Sequence, residues 1–153
     1  EKQIKEALAG LISNCTFSKI DPFKIPIFDV EFLFLRIRGK SVGEKIDLSL
    51  LCPDDNETRV NKSVNLEEIG VNMKVGHTNE IDITDNVKMV MRYPTLNDMT
   101  DVSGEANDVE DQFENLNKFF ETMPKVQHSV EVTNPKTKKK GEVVIEGIQS
   151  FFD

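Results

Sequence analysis

The chain has 153 residues, enough for one domain with a buried core. Hydrophobic residues make up 38% and charged residues 30%, a balance typical of a globular protein. The formal net charge of -8 argues against non-specific nucleic-acid binding, because that affinity comes largely from lysine and arginine neutralising phosphates. No stretch approaches the ~20 apolar residues of a membrane span, and two cysteines do not make a disulfide framework. We therefore expect no membrane partner and a reducing, intracellular compartment.

Residues 1–14 predict an amphipathic helix, because Ile4, Leu8 and Leu11 recur at helical spacing on one face. A linker follows in which Pro22 and Pro26 block regular structure. The chain starts at glutamate rather than methionine and opens directly on this helix. We therefore expect that an N-terminal segment precedes it in a longer protein.

Residues 27–38 form the most apolar part of the sequence. The run is broken only by four charged residues, Asp29, Glu31, Arg36 and Arg38. A helix that is apolar on most sides is expected in the centre of a fold or at a subunit interface. A buried strand pair is the alternative, since short apolar runs are ambiguous. Helix is favoured because Glu, Leu and Arg prefer it and because Gly39 and Gly43 can end it.

From residue 44 onward the hydrophobic period changes to two, which predicts a half-buried strand over residues 44–50. Residues 52–57 form a turn cluster after it. The same pattern predicts further strands at residues 58–64, 87–92, 126–132 and 142–145. The predicted fold class is α+β: a single domain over residues 1–153, with amphipathic helices packed on antiparallel β-hairpins.

Residues 95–107 are polar and acidic without a periodic pattern, which predicts a mobile loop. Residues 108–122 follow as a third predicted helix, with acidic residues in its first turn where the helix dipole favours them. A short helix is predicted at residues 147–152, ending on Phe151 and Phe152.

Candidate metal and catalytic residues are few. Cys52 in its turn looks like half of a zinc knuckle, but the position three along is Asp55 and the other cysteine, Cys15, lies in a predicted helix. His77 and His128 lack ligand spacing. We therefore expect no metal site and interpret Cys52 as a small apolar residue that closes a strand.

Nucleophilic and phosphate-binding motifs are no better supported. Ser41 lacks the flanking glycine of a nucleophile elbow, and Gly39 lacks the upstream glycine of a phosphate loop, which would fall at Phe34. The lysine run at residues 138–140 is interpreted as a solvated hairpin tip, given the acidic total. The sequence predicts no catalytic residue, no cofactor and no enzyme.

Three ordered segments nevertheless resemble a known family. They are FDVEFLFLRIRGKSVGE at residues 28–44, MRYPTL at residues 91–96, and FFETMP at residues 119–124 followed by IEGIQSFF at residues 145–152. Together they resemble the T4-type phage baseplate protein family, which contains a baseplate hub subunit or hub assembly protein of tailed phages. The resemblance touches both halves of the chain.

The resemblance implies a structural or assembly role in the central hub of the contractile-tail baseplate, without catalysis. It implies assembly in the host cytoplasm and a place in the virion tail, with other phage hub or tail proteins as partners and an oligomer within the baseplate. The sequence departs from the family pattern by a shorter stretch between Leu96 and Phe113. Some relatives carry a cysteine-rich turn where this chain has Cys52 to Asp55, which implies that a metal site there is degenerate.

Partner-binding residues are predicted at Arg36, Arg38, Phe151 and Phe152, because long cations beside an apolar helix and a terminal aromatic pair are typical interface anchors. The open alternative is that Phe151 and Phe152 pin the last helix to the sheet. Two other functions stay open: an acidic interaction or inhibitor module of another assembly, and a small hydrolase in which a pocket brings His77 or His128 to a nucleophile.

Overall fold

The computed structural model describes residues 2–84, 86–98 and 117–151. Its chain divides into two compact units. Unit 1 comprises Glu1–Val30 and Met73–Pro124, and unit 2 comprises Glu31–Asn72 and Lys125–Asp153. Within the described ranges, no helix has the length and apolar character needed to cross a membrane.

Unit 1 is built from helices and one hairpin. Helix α1 (Lys2–Cys15) buries Ala9 and Ile12, three residues apart on one face, whereas Ile4 and Leu11 of the predicted apolar face are exposed. Helix α2 (Ile27–Val42) begins in this unit, where the Ile27 N–H donates to the Pro94 carbonyl at 2.9 Å. The core of the unit consists of Ala9, Ile12, Phe28, Val30, Ile81, Leu96 and Phe119.

Two strands of unit 1, β4 (Glu80–Thr84) and β5 (Val87–Val90), pair antiparallel, with a register shift between Asp82 and Thr84. Residues 117–122 are helical. In the same unit, Leu96 is buried and Asp98 closes a turn by accepting the Thr95 N–H at 2.8 Å.

Unit 2 consists of two sheets and the rest of α2. Strands β1 (Lys45–Leu51) and β2 (Arg59–Asn65) pair antiparallel over their whole length. The second sheet has the order β3-β6-β7, formed by β3 (Gly70–Asn72), β6 (Lys125–Thr133) and β7 (Lys140–Glu146). A 3-10 helix, Ile148–Phe151, follows it.

The core of unit 2 follows from period-two alternation. In β1 the residues with even numbers are buried and those with odd numbers are exposed, so one face of the hairpin is covered. The buried apolar residues of the unit are Leu35, Ile46, Leu48, Leu50, Cys52, Val64, Leu66, Ile69, Val126, Val132, Ile145 and Phe151.

The structure confirms the α+β class with antiparallel hairpins. The helix prediction for residues 27–38 is confirmed and the strand-pair alternative is wrong, although the helix runs through Gly39 and ends only before Gly43, whose φ is 131°. Of the short helix predicted at residues 147–152, Ile148–Phe151 form a 3-10 helix, and residue 152 lies outside the described residues. Strands β3 and β4 were not predicted.

Two predictions fall largely outside the described residues. Residues 99–107 of the predicted acidic loop lie outside the described residues. Residues 108–116 of the predicted third helix also lie outside them. The mobility of the loop therefore stays a prediction. The interpretation of residues 1–153 as a single domain also stays a prediction.

Candidate functional site

The predicted partner-binding residues lie in unit 2. Arg36 donates to the carbonyls of Leu66 at 3.3 Å and Ile69 at 3.0 Å, and its guanidinium lies 4.7 Å from the ring centroid of Phe32. Its charged group therefore ties α2 to the segment after β2.

The other three predicted contact residues differ in exposure. Arg38 is half-exposed and donates to the Gly43 carbonyl at 3.4 Å. Phe151 is only 1% exposed and fills the unit 2 core, which agrees with the pinning alternative. Phe152 lies outside the described residues. Contact of these residues with a partner stays a prediction.

The candidate metal-binding and catalytic residues do not form a cluster. Cys15 is exposed on α1, Cys52 is fully buried at the end of β1, and His128 lies on β6 opposite Ile145. Among the described residues no group of three or more histidines, cysteines and carboxylates could hold a metal ion.

His77 is the one histidine that meets hydroxyl groups in the described part of the chain. Its Nδ1 lies 2.9 Å from Thr122 Oγ1 and its Nε2 lies 3.1 Å from the Tyr93 hydroxyl. Thr122 Oγ1 also lies 2.6 Å from the Lys118 carbonyl, which can only accept a hydrogen bond. The single Thr122 proton therefore goes to Lys118, and we assign the Nδ1 proton to His77.

This proton arrangement decides what His77 can do. With Nδ1 protonated, the neutral ring donates to Thr122 and its Nε2 accepts from the Tyr93 hydroxyl, so both ring nitrogens are bonded to hydroxyl groups of the chain. The ring also packs against Phe119, with centroids 5.2 Å apart, and stacks on Tyr93 at 5.7 Å. A neighbouring cavity of about 230 Å³ is lined by Thr122 and Lys118. His77 thus joins the 117–122 helix to the segment after β5 within unit 1, and the geometry supports a structural role for it.

The densest polar arrangement lies where two hairpin turns of unit 2 meet. We call residues 52–58 and residues 134–139 the paired turns. Each turn begins with a residue followed by proline, Cys52-Pro53 and Asn134-Pro135. The approach is close, because a Cβ on Gly141 would lie 2.5 Å from Pro53 Cγ. Glycine is therefore required at position 141.

The paired turns share two backbone features, a carbonyl hydrogen bond and a positive φ, although the first turn is one residue longer. In the first, the Cys52 carbonyl accepts the Asn56 N–H at 3.0 Å, and in the second the Asn134 carbonyl accepts the Lys138 N–H at 2.9 Å. Asn56 and Lys138 both have positive φ, 53° and 61°. The Cys52 N–H closes the first turn by donating to the Thr58 carbonyl. The Asn134 N–H closes the second by donating to the Lys139 carbonyl.

Side-chain hydrogen bonds join the paired turns. The Asn134 amide is 1% exposed and donates to Asp54 Oδ1 at 2.9 Å and to Asp55 Oδ2 at 2.8 Å. The Thr137 hydroxyl donates to Asp54 Oδ2 at 2.5 Å. Asp55 further accepts the Thr58 hydroxyl at 2.6 Å. Two carboxylates are thus held together by neutral donors.

These donors shift the pKa values of the acids. The hydroxyl and backbone N–H of Thr58 hold the pKa of Asp55 well below its usual range, and Thr137 and Asn134 lower the pKa of Asp54. Burial raises the pKa of the Cys52 thiol, and the charges of Asp54 and Asp55 add to that rise. Cys52 is therefore held as a neutral thiol beside two ionised carboxylates.

Sequence reasoning identified each turn but did not join them. The available signal was their shared spacing, Cys52-Pro53-Asp54-Asp55 beside Asn134-Pro135-Lys136-Thr137. It was missed because some 80 residues separate the two turns, as the Asn134–Asp54 hydrogen bond shows.

Exposed large apolar side chains are more numerous in unit 1 than in unit 2. Among the described residues, unit 1 has eight exposed large hydrophobic side chains: Ile4, Leu11, Phe17, Met73, Val75, Val87, Val90 and Phe120. Unit 2 exposes three, Val42, Leu51 and Val144.

Phe17 is exposed in an unusual backbone conformation. The Ser18 N–H donates to the Ser13 carbonyl at 2.8 Å and the Phe17 N–H to the Asn14 carbonyl at 3.2 Å, the two bonds of a Schellman motif. Phe17 takes the left-handed position of that motif with φ 55°, where glycine is usual. Its side chain is 85% exposed. The conformation costs about 1–2 kcal/mol for a residue with a Cβ.

The exposed face of α1 adds a second feature. Ile4 is 72% and Leu11 is 37% exposed, two turns apart, with Ala7 and Gly10 exposed between them. A Cβ on Gly10 would meet nothing within 4 Å, so packing within the described chain does not explain a glycine there. We call Ile4, Ala7, Gly10 and Leu11 the α1 exposed face.

The fold and these surfaces define an α+β protein of antiparallel hairpins and helices. Residues 1–114 and 109–153 match the family model described as T4 bacteriophage base plate protein. The chain belongs to this family, which implies a structural role in the phage tail baseplate and association with other baseplate proteins. No curated protein and no solved structure matches the chain.

Proposed function

We propose that the chain is a component or assembly factor of the central hub of the baseplate, which acts through protein-protein contacts and performs no catalytic step. It is assembled with other hub or tail proteins in the host cytoplasm. The observation that carries the contact mechanism is Phe17, an aromatic side chain that is 85% exposed in a backbone conformation that disfavours it.

Physical reasoning supports a partner for Phe17. A phenylalanine in water gains nothing from its exposure, and its left-handed backbone lowers the stability of the isolated fold. Strained residues that persist point to a role outside the stability of the chain. Aromatic residues are enriched in the buried centre of protein interfaces, so the contact that covers Phe17 recovers its apolar area.

The α1 exposed face extends the contact surface. Ile4 and Leu11 are spaced as the anchors of a helix that lies in a groove, and Ala7 and Gly10 allow a close backbone approach between them. The proposed occupant is another protein of the baseplate hub. Arg38 remains a candidate contact in unit 2, where its guanidinium is half-exposed.

Co-expression with the hub proteins of its phage, followed by native mass measurement, tests the proposal. The expected result is a complex with at least one hub protein, which Phe17→Ser weakens. Val144→Ser is the matched control, since Val144 is an exposed apolar residue of unit 2 at 56%. A chain that stays alone beside every hub protein contradicts the proposal, as does equal weakening by both variants.

A further inference from the structure

We propose that the paired turns are a metal-free counterpart of a four-ligand zinc site, in which side-chain hydrogen bonds between the turns replace the bonds to an ion. Cys52 and Asp55 occupy two of the ligand positions, and Asn134 and Thr137 occupy the others. This inference concerns unit 2 alone and does not depend on the hub proposal.

The spacing and geometry of the turns carry the proposal. Structural zinc sites of the ribbon type place two ligands three residues apart on each of two hairpin turns. Here residues 52 and 55 lie on one turn and residues 134 and 137 on the other. In both turns the carbonyl of the first residue accepts the N–H of the residue four positions later. The positive φ of that fourth residue is also shared.

The residues present do not fit zinc. The set offers one thiol and one carboxylate, whereas structural zinc takes thiolates and imidazoles. Asn134 presents its N–H groups, not its carbonyl, to Asp54 and Asp55, and the Thr137 hydroxyl also donates. A cation would meet the positive ends of these donors, so it could enter only by breaking the hydrogen bonds.

The same donors explain how the turns hold without an ion. A metal ion draws anionic ligands together by its charge. The neutral Asn134 amide holds the carboxylates of Asp54 and Asp55 together by donating hydrogen bonds of 2.9 and 2.8 Å. Its own Oδ1 accepts the Lys136 N–H at 2.8 Å, which fixes the amide orientation. No described buried side-chain nitrogen or oxygen lacks a partner.

Restoring the missing thiols tests the inference. In the full chain, Asp55→Cys, Asn134→Cys and Thr137→Cys are combined, so that Cys52 completes four thiols, and Co²⁺ and then Zn²⁺ are added. The expected result is about one ion per chain with the visible spectrum of tetrahedral Co²⁺-thiolate, and Zn²⁺ affinity at least about 100-fold above the control. The melting temperature of this variant should rise with Zn²⁺, while that of the wild type should not change.

The control carries Glu57→Cys, Lys136→Cys and Lys139→Cys, three exposed positions of the same turns with the same number of thiols. Equal affinity in both variants overturns the proposal, because it then reflects thiol content alone. A triple variant that is unfolded without metal and folds on Zn²⁺ supports it. One that stays unfolded with Zn²⁺ contradicts it, as does a wild type whose melting temperature rises with Zn²⁺.

Discussion

The two units differ in where their polar and apolar groups find partners. In unit 2 the acids of the 52–58 turn are bonded to Asn134 and Thr137, and Arg36 is bonded to two carbonyls. Unit 1 carries most of the exposed large hydrophobic side chains of the described residues. Phe17 is the most exposed aromatic residue among them.

The difference separates stability from contact. The hydrogen bonds between the turns specify a single arrangement, because breaking them leaves the buried Asn134 amide without a partner. Exposed apolar groups do not stabilise the isolated fold and become favourable only when another surface covers them. Changes in the paired turns should therefore alter stability, and changes around α1 should alter binding.

The largest effect is expected from Asn134→Ala. The variant removes the amide that joins both carboxylates, and we expect the free energy of unfolding to fall by about 2 kcal/mol. Denaturant unfolding followed by circular dichroism measures the change. Asn61→Ala, at an exposed position of β2, is the control and should change stability by less than about 0.5 kcal/mol. Equal effects of the two variants would show that the paired turns contribute little.

A smaller effect is expected in acid. Because the folded pKa values of Asp54 and Asp55 are lowered, their contribution is present above the ordinary aspartate pKa of about 3.9 and is lost as pH falls through the folded values. The melting temperature should therefore stay level down to pH ~4 and then drop, with a shallower drop in Asp55→Asn. Asp47→Asn, at an exposed position of β1, should follow the wild type. An identical acid profile for Asp55→Asn would contradict this assignment.

The smallest effect is expected from Gly10→Ala, and it has the opposite sign. A new Cβ meets no atom within 4 Å, so alanine should raise the free energy of unfolding by about 0.5–1 kcal/mol through helix propensity. Binding to a hub protein should weaken, because the methyl group blocks close approach at the α1 exposed face. Thermal unfolding and a titration with that protein measure both. A stabilised variant with unchanged affinity would remove Gly10 from the contact surface.

Local patterns predicted much of the fold. Helices α1 and α2 follow from apolar spacing, and the β1–β2 and β6–β7 hairpins follow from period-two alternation with turn residues between them. Strand β3 has only three residues and pairs with β6 far along the chain, so no local pattern marks it. Strand β4 does carry a period-two alternation, EIDIT, which the strand prediction missed.

The sites were less predictable. The paired turns depend on a long-range contact, and a sequence without an aligned partner gives no reason to join residue 54 to residue 134. Arg36 was identified as an interface cation from its place beside apolar residues, but the carbonyls that hold it belong to a later segment. Phe17 gave no signal, because the left-handed end of a helix is normally marked by glycine.

The central claim, that unit 1 keeps Phe17 for contact at the expense of its own stability, is tested by comparing Phe17→Gly with Ser18→Gly. Both variants relieve a left-handed residue, with φ 55° and 57°, but only the first removes the aromatic ring. We predict that both raise the free energy of unfolding, by about 1 kcal/mol, and that only Phe17→Gly loses the hub complex in native mass measurement. A Phe17→Gly variant that keeps the complex at wild-type affinity would contradict the account.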